Sequence, residues 1–322
     1  MKLGFVYRGK PDWLPLIPKD VDHVLVECPP DANYPPEALA KLADVDGIYV
    51  SNSWINAQVF SAARKLKMVQ TSGAGYDKLD IPAATKHGVL CCNNGDFNSN
   101  RVADFSMMLI LTQMRNYVPT AMKMYEGDWA GARALGVQAV EVEDKTLGII
   151  GFGNIGSRLS RRARAHEMKV IYNDIVPDRN KDVAEAVGAR LVEKDELFAT
   201  SDVISINTPL NDTTRNLVDE RAISLMKPGV FIVCTARGNI INEAALRKAL
   251  DEGKVAGAGI DVFSFEPFAD DNPLRGAKNI VMSPHVAGRG KEGVVRSFNG
   301  SMDNLKRFLV HDQQPNNVLN PR

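Results

Sequence analysis

Short apolar runs alternate with helix-like stretches along the whole 322-residue chain, and this alternation restricts the fold more than any other feature. The strand candidates include "LGFVY", "GIYV", "KMVQ", "GVLCC", "TLGIIG", "KVIYND", "DVISIN", "VFIVC", "VAGAGID" and "NIVM". Between most of them lie helical patterns such as "PPEALAKLA", "NAQVFSAARKL" and "NEAALRKALDEG". Runs so short and so continuously apolar suit strands buried on both faces of a parallel sheet, with helices as the crossovers. Ten strands crowd one sheet, and the chain is long for one core, so the sequence predicts an α/β protein of two sheets in two domains.

Two places break the rhythm. "NSNRVADFSMMLILTQMRNYVPTAMKMYEG" is the longest helical pattern and follows the first group of strands, whereas "GDWAGARALGVQAVEVEDKT" carries glycines without a strong period and reads as a linker or surface loop. A last helix, near 291–310, follows the final strand. One helix leaving a domain and another returning to it would make the first domain discontinuous. The 39 basic and 39 acidic residues cancel, so no overall charge draws the chain to nucleic acid or an acidic membrane. The opening "MKLGFVYRGK" is too brief for a signal-peptide core, and no stretch nears the roughly 18 apolar residues of a membrane span. Cys28, Cys91, Cys92 and Cys234 lack C-x-x-C spacing, so they read as reduced structural thiols in a cytoplasmic protein, with no metal site.

"TLGIIGFGNIGSRLSRRARAH" sets Gly151, Gly153 and Gly156 in a G-x-G-x-x-G arrangement between an apolar strand and a helix. Alone the pattern is weak; with strand before and helix after, it marks a dinucleotide loop. Gly151 would permit the tight turn, Gly153 the approach of a pyrophosphate, and Gly156 the close packing of helix on strand. The helix N-terminus would offer free N–H groups to phosphate. The next strand ends at Asp174, placed to accept hydrogen bonds from a ribose diol and to repel a 2′-phosphate, which favours NAD over NADP. The plain alternative is a solvated loop acid, with Arg179 nearby able to receive a phosphate.

Three further segments put polar residues at the carboxyl ends of strands, where open α/β sheets keep their ligands. "VFIVCTARGN" supplies Arg237, "GIDVFSFEP" supplies Asp261 and Glu266, and "NIVMSPHVAG" supplies His285. Singly, each has a bland reading: a helix-capping Arg, a turn acid, a structural His. Together, beside a nicotinamide, they suggest an Arg fork for a carboxylate and a His that moves a proton while Glu orients it.

Here the chain resembles the D-isomer-specific 2-hydroxyacid dehydrogenases, through "SGAGYDKLDIPAATKHGV", "VADFSMMLIL", "GIIGFGNIG", "NTPLNDTTRNLV", "CTARGNIINEAAL", "GIDVFSFEP" and "SPHVAG" in the family's order. The resemblance implies a Rossmann-type NAD domain, 98–289, inserted into a discontinuous flavodoxin-like substrate domain, 1–97 with 290–322, and an active site in the cleft. By position it implies Arg237 on the substrate carboxylate, His285 as acid in reduction and base in oxidation, and Glu266 bonded to His285. It adds NAD contacts from Asn154, Ile155, Thr208, Pro209, Thr235, Ala236 and His285, and turns Asp261 to the nicotinamide amide. Ser72, Gly73, Ala74 and Gly75 would help hold the substrate carboxylate. The resemblance also implies a homodimer joined through the long helix, the plain alternative being a helix buried within one subunit.

The chain departs from the family at Asp104, Phe105 and Asn207, where Glu, His and His are usual, and after "SPHVAG", where "RGKEG" lacks the frequent threonine. Candidates for substrate selection are Asn52, Trp54, Ser72, Tyr76 and Arg289, with Trp54 either a lid over the substrate or a structural residue. The expected activity is reduction of a small 2-oxo acid of the glyoxylate or hydroxypyruvate type, or the reverse. A phosphoglycerate substrate is the close alternative, although the chain ends soon after its last helix, without room for a regulatory domain. Glu266 stands where formate dehydrogenases carry Gln. The alternative of another class is an NAD(H)-sensing corepressor on the same fold, for which the chain shows no charge-biased flanks.

Overall fold

The computed structural model describes residues 1–321, and the chain forms two compact units. One comprises Met1–Asn98 together with the chain from Arg289; the other is Ser99–Gly288.

In the first unit, β1 (Lys2–Tyr7), β2 (Asp22–Glu27), β3 (Gly47–Ser51), β4 (Met68–Thr71) and β5 (Leu90–Cys92) form one parallel sheet in the order β2-β1-β3-β4-β5. This is the flavodoxin-like order. The strand β2 was absent from the sequence reading. It is an edge strand, mostly exposed, whose polar ends (Asp22, Glu27) hide the apolar alternation of its middle. Helices α1 (Pro36–Leu42), α2 (Ala57–Ala62) and α3 (Ile81–Lys86) cross between strands; Asn56 and Asp80 cap α2 and α3 through Val59 N and Ala83 N. The long helix Lys291–Leu309 covers the other face, where Phe298, Met302 and Leu305 pack with Phe5, Trp13 and Tyr49. Cys91 and Cys92 point to opposite faces, one into each core layer. Burial pushes both thiols up to about 12, so they stay protonated and inert. Beyond that helix the chain pairs with β5 at Val318 and Leu319, covering a sheet edge that would otherwise be open.

The second unit begins with three helices, α4 (Ser99–Met114), α5 (Tyr117–Tyr125) and α6 (Trp129–Val137). The long helical pattern is therefore two helices, broken at Asn116, whose φ is 50°. The stretch expected to be a loop contains α6, started by Asp128, whose carboxylate accepts from Gly131 N at 2.8 Å. A capping acid outweighs the helix cost of the two glycines that follow it.

Seven strands follow: β6 (Thr146–Ile150), β7 (Lys169–Asn173), β8 (Arg190–Leu191), β9 (Val203–Ile206), β10 (Val230–Cys234), β11 (Val255–Ile260) and β12 (Ile280–Met282). All are parallel, in the order β12-β11-β10-β9-β6-β7-β8. Counted from β6, this is the doubly wound Rossmann order with one more strand, and the order reverses between β6 and β9. The two-residue β8 is exposed and carries no apolar run to betray it. Helices α7 (Asn154–Ala165), α8 (Lys181–Val187), α9 (Lys194–Thr200), α10 (Glu220–Leu225) and α11 (Glu243–Asp251) connect the strands, leaving the Lys291–Leu309 helix as α12. Among the described residues, no helix is long and apolar enough to cross a membrane.

Candidate active site

The reversal between β6 and β9 opens a crevice at their carboxyl ends, and the glycine loop lies there. Gly151 has a φ of 90°, and a Cβ on it would sit 2.9 Å from the backbone of Asn207 after β9. A Cβ on Gly156 would fall 2.2 Å from the Gly151 carbonyl oxygen, so only glycine lets α7 start this close to β6. Around Gly153 the space is open, with Arg179 Nη1 the nearest group at 3.7 Å. No side chain caps α7, which leaves the first-turn N–H groups of Asn154 and Ile155 to a ligand. Beside the loop, Thr208 Oγ1 and Asn207 Oδ1 are buried without a hydrogen-bond partner, while Pro209 is exposed. An open glycine, an uncapped helix start and orphaned acceptors fit a dinucleotide.

Asp174, just past β7, accepts from Phe152 N at 2.6 Å and Val176 N at 2.7 Å. Its carboxylate thereby shapes the glycine loop. On the other side of the reversal, Thr235 after β10 is buried against Ser106 of α4, their hydroxyls 2.9 Å apart. Ala236 accepts at its carbonyl from Arg237 Nη1 at 2.7 Å.

Glu266 and His285 meet: His285 Nδ1 lies 2.7 Å from Glu266 Oε2, with side chains 42% and 33% exposed respectively. Glu266 Oε1 also accepts from Phe263 N at 3.2 Å. The histidine has a φ of 54°, an uncommon conformation that its surroundings impose. The surrounding group is Asp261. Its carbonyl accepts from His285 N at 2.8 Å, its Oδ1 from Ser283 Oγ at 2.6 Å and Val286 N at 2.9 Å, and its Oδ2 from Ala287 N at 2.8 Å.

Asp261 is wholly buried. In the structure its carboxylate accepts from three donors of the 283–287 loop, which offset its loss of water. Glu266, by contrast, is one-third exposed. The sequence offered no sign of the Asp261 contacts, because two of the three donors are main-chain N–H groups. Cys234 lies beneath, its thiol pushed up to about 11 by burial and aimed at the Arg237 carbonyl oxygen 3.8 Å away.

In the first unit, the "SGAG" loop follows β4, and the carbonyls of Ser72, Gly73 and Ala74 are engaged. Ser72 O accepts from Asn94 Nδ2 at 3.0 Å and from Ser297 Oγ, Gly73 O from Thr71 Oγ1 at 2.6 Å and Asn94 N at 2.9 Å, and Ala74 O from Asn93 Nδ2 at 2.7 Å. Among the described residues, nothing accepts from the N–H groups of Gly73, Ala74 and Gly75. The loop can therefore present N–H donors to an anion. Asn93, Asn94 and Ser297, which impose this arrangement, were missed; the doubled asparagine after a strand was the available signal.

The "SNSWIN" loop is held by Tyr34 Oη on the Trp54 carbonyl at 2.5 Å and by Lys78 Nζ on Asn52 Oδ1 at 2.7 Å. The Trp54 and Tyr76 rings are left substantially exposed. Arg289 lies 3.3 Å from Asp12, so its charge is answered within its own unit. Asp104 pairs with Arg162 Nε at 2.6 Å, and Phe105 packs against the core of the second unit.

Comparison with known proteins matches a family described as "D-isomer specific 2-hydroxyacid dehydrogenase, NAD binding domain" to residues 107–287. A glyoxylate reductase of Korarchaeum cryptofilum is 35% identical over 265 residues, which are 82% of this chain and 79% of that protein. A D-3-phosphoglycerate dehydrogenase of Archaeoglobus fulgidus is 36% identical over 80% of this chain, but the match spans only 48% of that longer protein. Among solved structures, the D-lactate dehydrogenase of Aquifex aeolicus, complexed with NAD and lactic acid, aligns with a TM-score of 0.87 at 26% identity, over 99% of this chain and 100% of that one. The glycine loop at the reversal and the paired His and Glu thus lie in a chain that belongs to the D-isomer specific 2-hydroxyacid dehydrogenases, NAD-dependent oxidoreductases.

Proposed function

We propose that this enzyme interconverts a small 2-oxo acid, of the glyoxylate or hydroxypyruvate kind, with its D-2-hydroxy acid, and that Arg237, Glu266 and His285 carry the chemistry. The observation behind the reading is the 2.7 Å pair of His285 Nδ1 with Glu266 Oε2. An ionised carboxylate only accepts, so it selects the tautomer with the proton on Nδ1. Nε2, which no described residue engages, then gives a proton to the carbonyl oxygen in reduction or takes one from the hydroxyl in oxidation. The Arg237 guanidinium binds the substrate carboxylate through two parallel N–H donors, fixing which face of the carbonyl reacts. In the first unit, the free N–H groups of Gly73, Ala74 and Gly75 are donors suited to a substrate carboxylate. NAD, when bound, supplies or accepts the hydride at the carbon. Gly151, Gly153, Asn154, Ile155, Gly156 and Thr208 hold its phosphates and ribose, and the Asp174 charge disfavours a 2′-phosphate.

The relatives support the substrate class, since one is named glyoxylate reductase. The test follows NADH and NADPH absorbance with glyoxylate, hydroxypyruvate, pyruvate, phenylpyruvate and 3-phosphohydroxypyruvate. Fastest NADH-linked turnover on glyoxylate or hydroxypyruvate supports the proposal. A preference for 3-phosphohydroxypyruvate or phenylpyruvate reassigns the substrate, and tight NADH binding without turnover on any of the five overturns it. We also propose a homodimer joined through α4–α6, for which the exposed aromatic and apolar side chains of α5 and α6 are the support.

A further inference from the structure

The turn that carries Glu266 is gripped by a second acid. Helix α11 starts shortly after Arg237, with Asn242 capping it through Ala245 N at 3.0 Å. Its first residue, Glu243, reaches across to this turn. Oε1 accepts from Ser264 N at 2.7 Å, and Oε2 accepts from Asn272 Nδ2 at 2.8 Å. Asn272 is itself buried, and its Oδ1 accepts from Leu274 N at 2.9 Å. Glu243 has no ion-pair partner among the described residues; both its oxygens are committed to neutral donors around this turn.

The turn's successive N–H groups go to two different carboxylates. Phe263 N donates to Glu266 and Ser264 N to Glu243. From the other side, Gly238 presses so closely that a Cβ on it would fall 1.9 Å from the Phe263 carbonyl oxygen. Asn239 Nδ2 reaches Ser264 O at 3.4 Å. A cavity of about 10 Å³, the room of a single water, lies under the same residues, lined in part by Arg237, Asn239 and Glu243. Residues 263 and 264 are thus clasped by the segment that begins at Arg237, and Glu243 supplies the charged part of the clasp.

We propose that Glu243 is a positioning residue, holding the 263–266 turn so that Glu266 keeps its aim on His285 Nδ1 and remains in register with Arg237. This rests on the acid–base reading of Glu266 and His285. A carboxylate suits the task because its hydrogen bonds are charge-assisted and because it sits at the start of a helix, where a negative charge is favoured.

The experiment compares Glu243→Ala, Glu243→Gln, Glu266→Gln and the Glu243→Ala/Glu266→Gln double variant in the full-length enzyme. It measures kcat and KM for 2-oxo acid reduction across pH, NADH affinity by fluorescence titration, and thermal melting. Glu243→Ala should lower kcat on the order of 10- to 100-fold. NADH affinity should hold, and the pH profile of reduction should change as it does in Glu266→Gln. In the double variant the two losses should not add. Glu243→Gln, which keeps an acceptor for Ser264 N, should retain more activity than Ala and guards against a misfolded alanine variant. A reduced melting temperature with a wild-type pH profile, or fully additive losses, overturns the Glu243 proposal while leaving the acid–base reading in place. Wild-type kinetics in Glu266→Gln would instead remove the reading itself, and the proposal with it.

Discussion

His285 is fixed from two directions: its backbone by Asp261 and its ring by Glu266. The loop bonds involve the main chain, so truncating the ring removes the proton carrier and leaves the loop standing. His285→Ala should therefore lower kcat by about 10²- to 10⁴-fold, the usual worth of a positioned acid or base. NADH affinity should change little, because the lost contact is to the reacting oxygen. Rapid-mixing measurement of the hydride step with saturating NADH checks this, and an unchanged rate would remove His285 from the role. The pairing of His285 with Glu266 was legible in the sequence because both are polar residues that follow strands at the end of the sheet where ligands bind. The supporting contacts were not. Asp261 works through backbone N–H groups that every residue has, and Ser297 touches Ser72 only after more than 200 residues of chain have folded between them.

At the scale of elements, the strands that show in the sequence are those buried on both faces, such as β6, β9 and β10. The edge strands β2 and β8 were missed: β8 is exposed and β2 fully buries only Val26, so little in either has to be apolar. The amino ends of the central strands are joined by Asp202. Its N–H donates to Thr146 O at 2.9 Å, its carboxylate accepts from Thr146 N at 2.8 Å, and Lys227 Nζ lies 2.9 Å away. Burial pushes this carboxyl up, but the Thr146 N–H and the Lys227 ammonium outweigh it and hold it below the usual carboxylate range. A group so lowered contributes stability above its unfolded value, about 4, and loses it as the pH falls through the lower folded value. Asp202→Asn should thus melt about 2–4 °C below wild type at pH 7, as a loss of roughly 1 kcal/mol gives in a domain of this size. The gap should close as the pH falls below the unfolded value. Thermal melts of both proteins across pH decide it: an equal gap at every pH would mean that the carboxylate's charge contributes nothing.

For the whole molecule, the least self-sufficient parts are α5 and α6. No residue of α5 is buried, and only Ala132 of α6 is. Yet Tyr125 is 92% exposed, Val137 83% and Trp129 65%. Nine-residue helices are marginal in water without a packed face, so this apolar surface needs a cover. The same unit also carries a groove of about 390 Å³, lined by Met107, Met108 and Leu111 of α4, by Arg162 of α7 and by His166 just after it. The equal counts of acidic and basic residues leave no net repulsion between two copies, which suits the proposed second copy as that cover. Light scattering on the eluting protein should then give twice 35.3 kDa. Tyr125→Asp with Trp129→Asp places two charges in the covered surface and should shift the mass to that of one chain, with NADH binding retained because neither residue adjoins the glycine loop. A wild-type protein that stays monomeric at micromolar concentration, or a double variant that remains a dimer, would mean that α5 and α6 are not the seam.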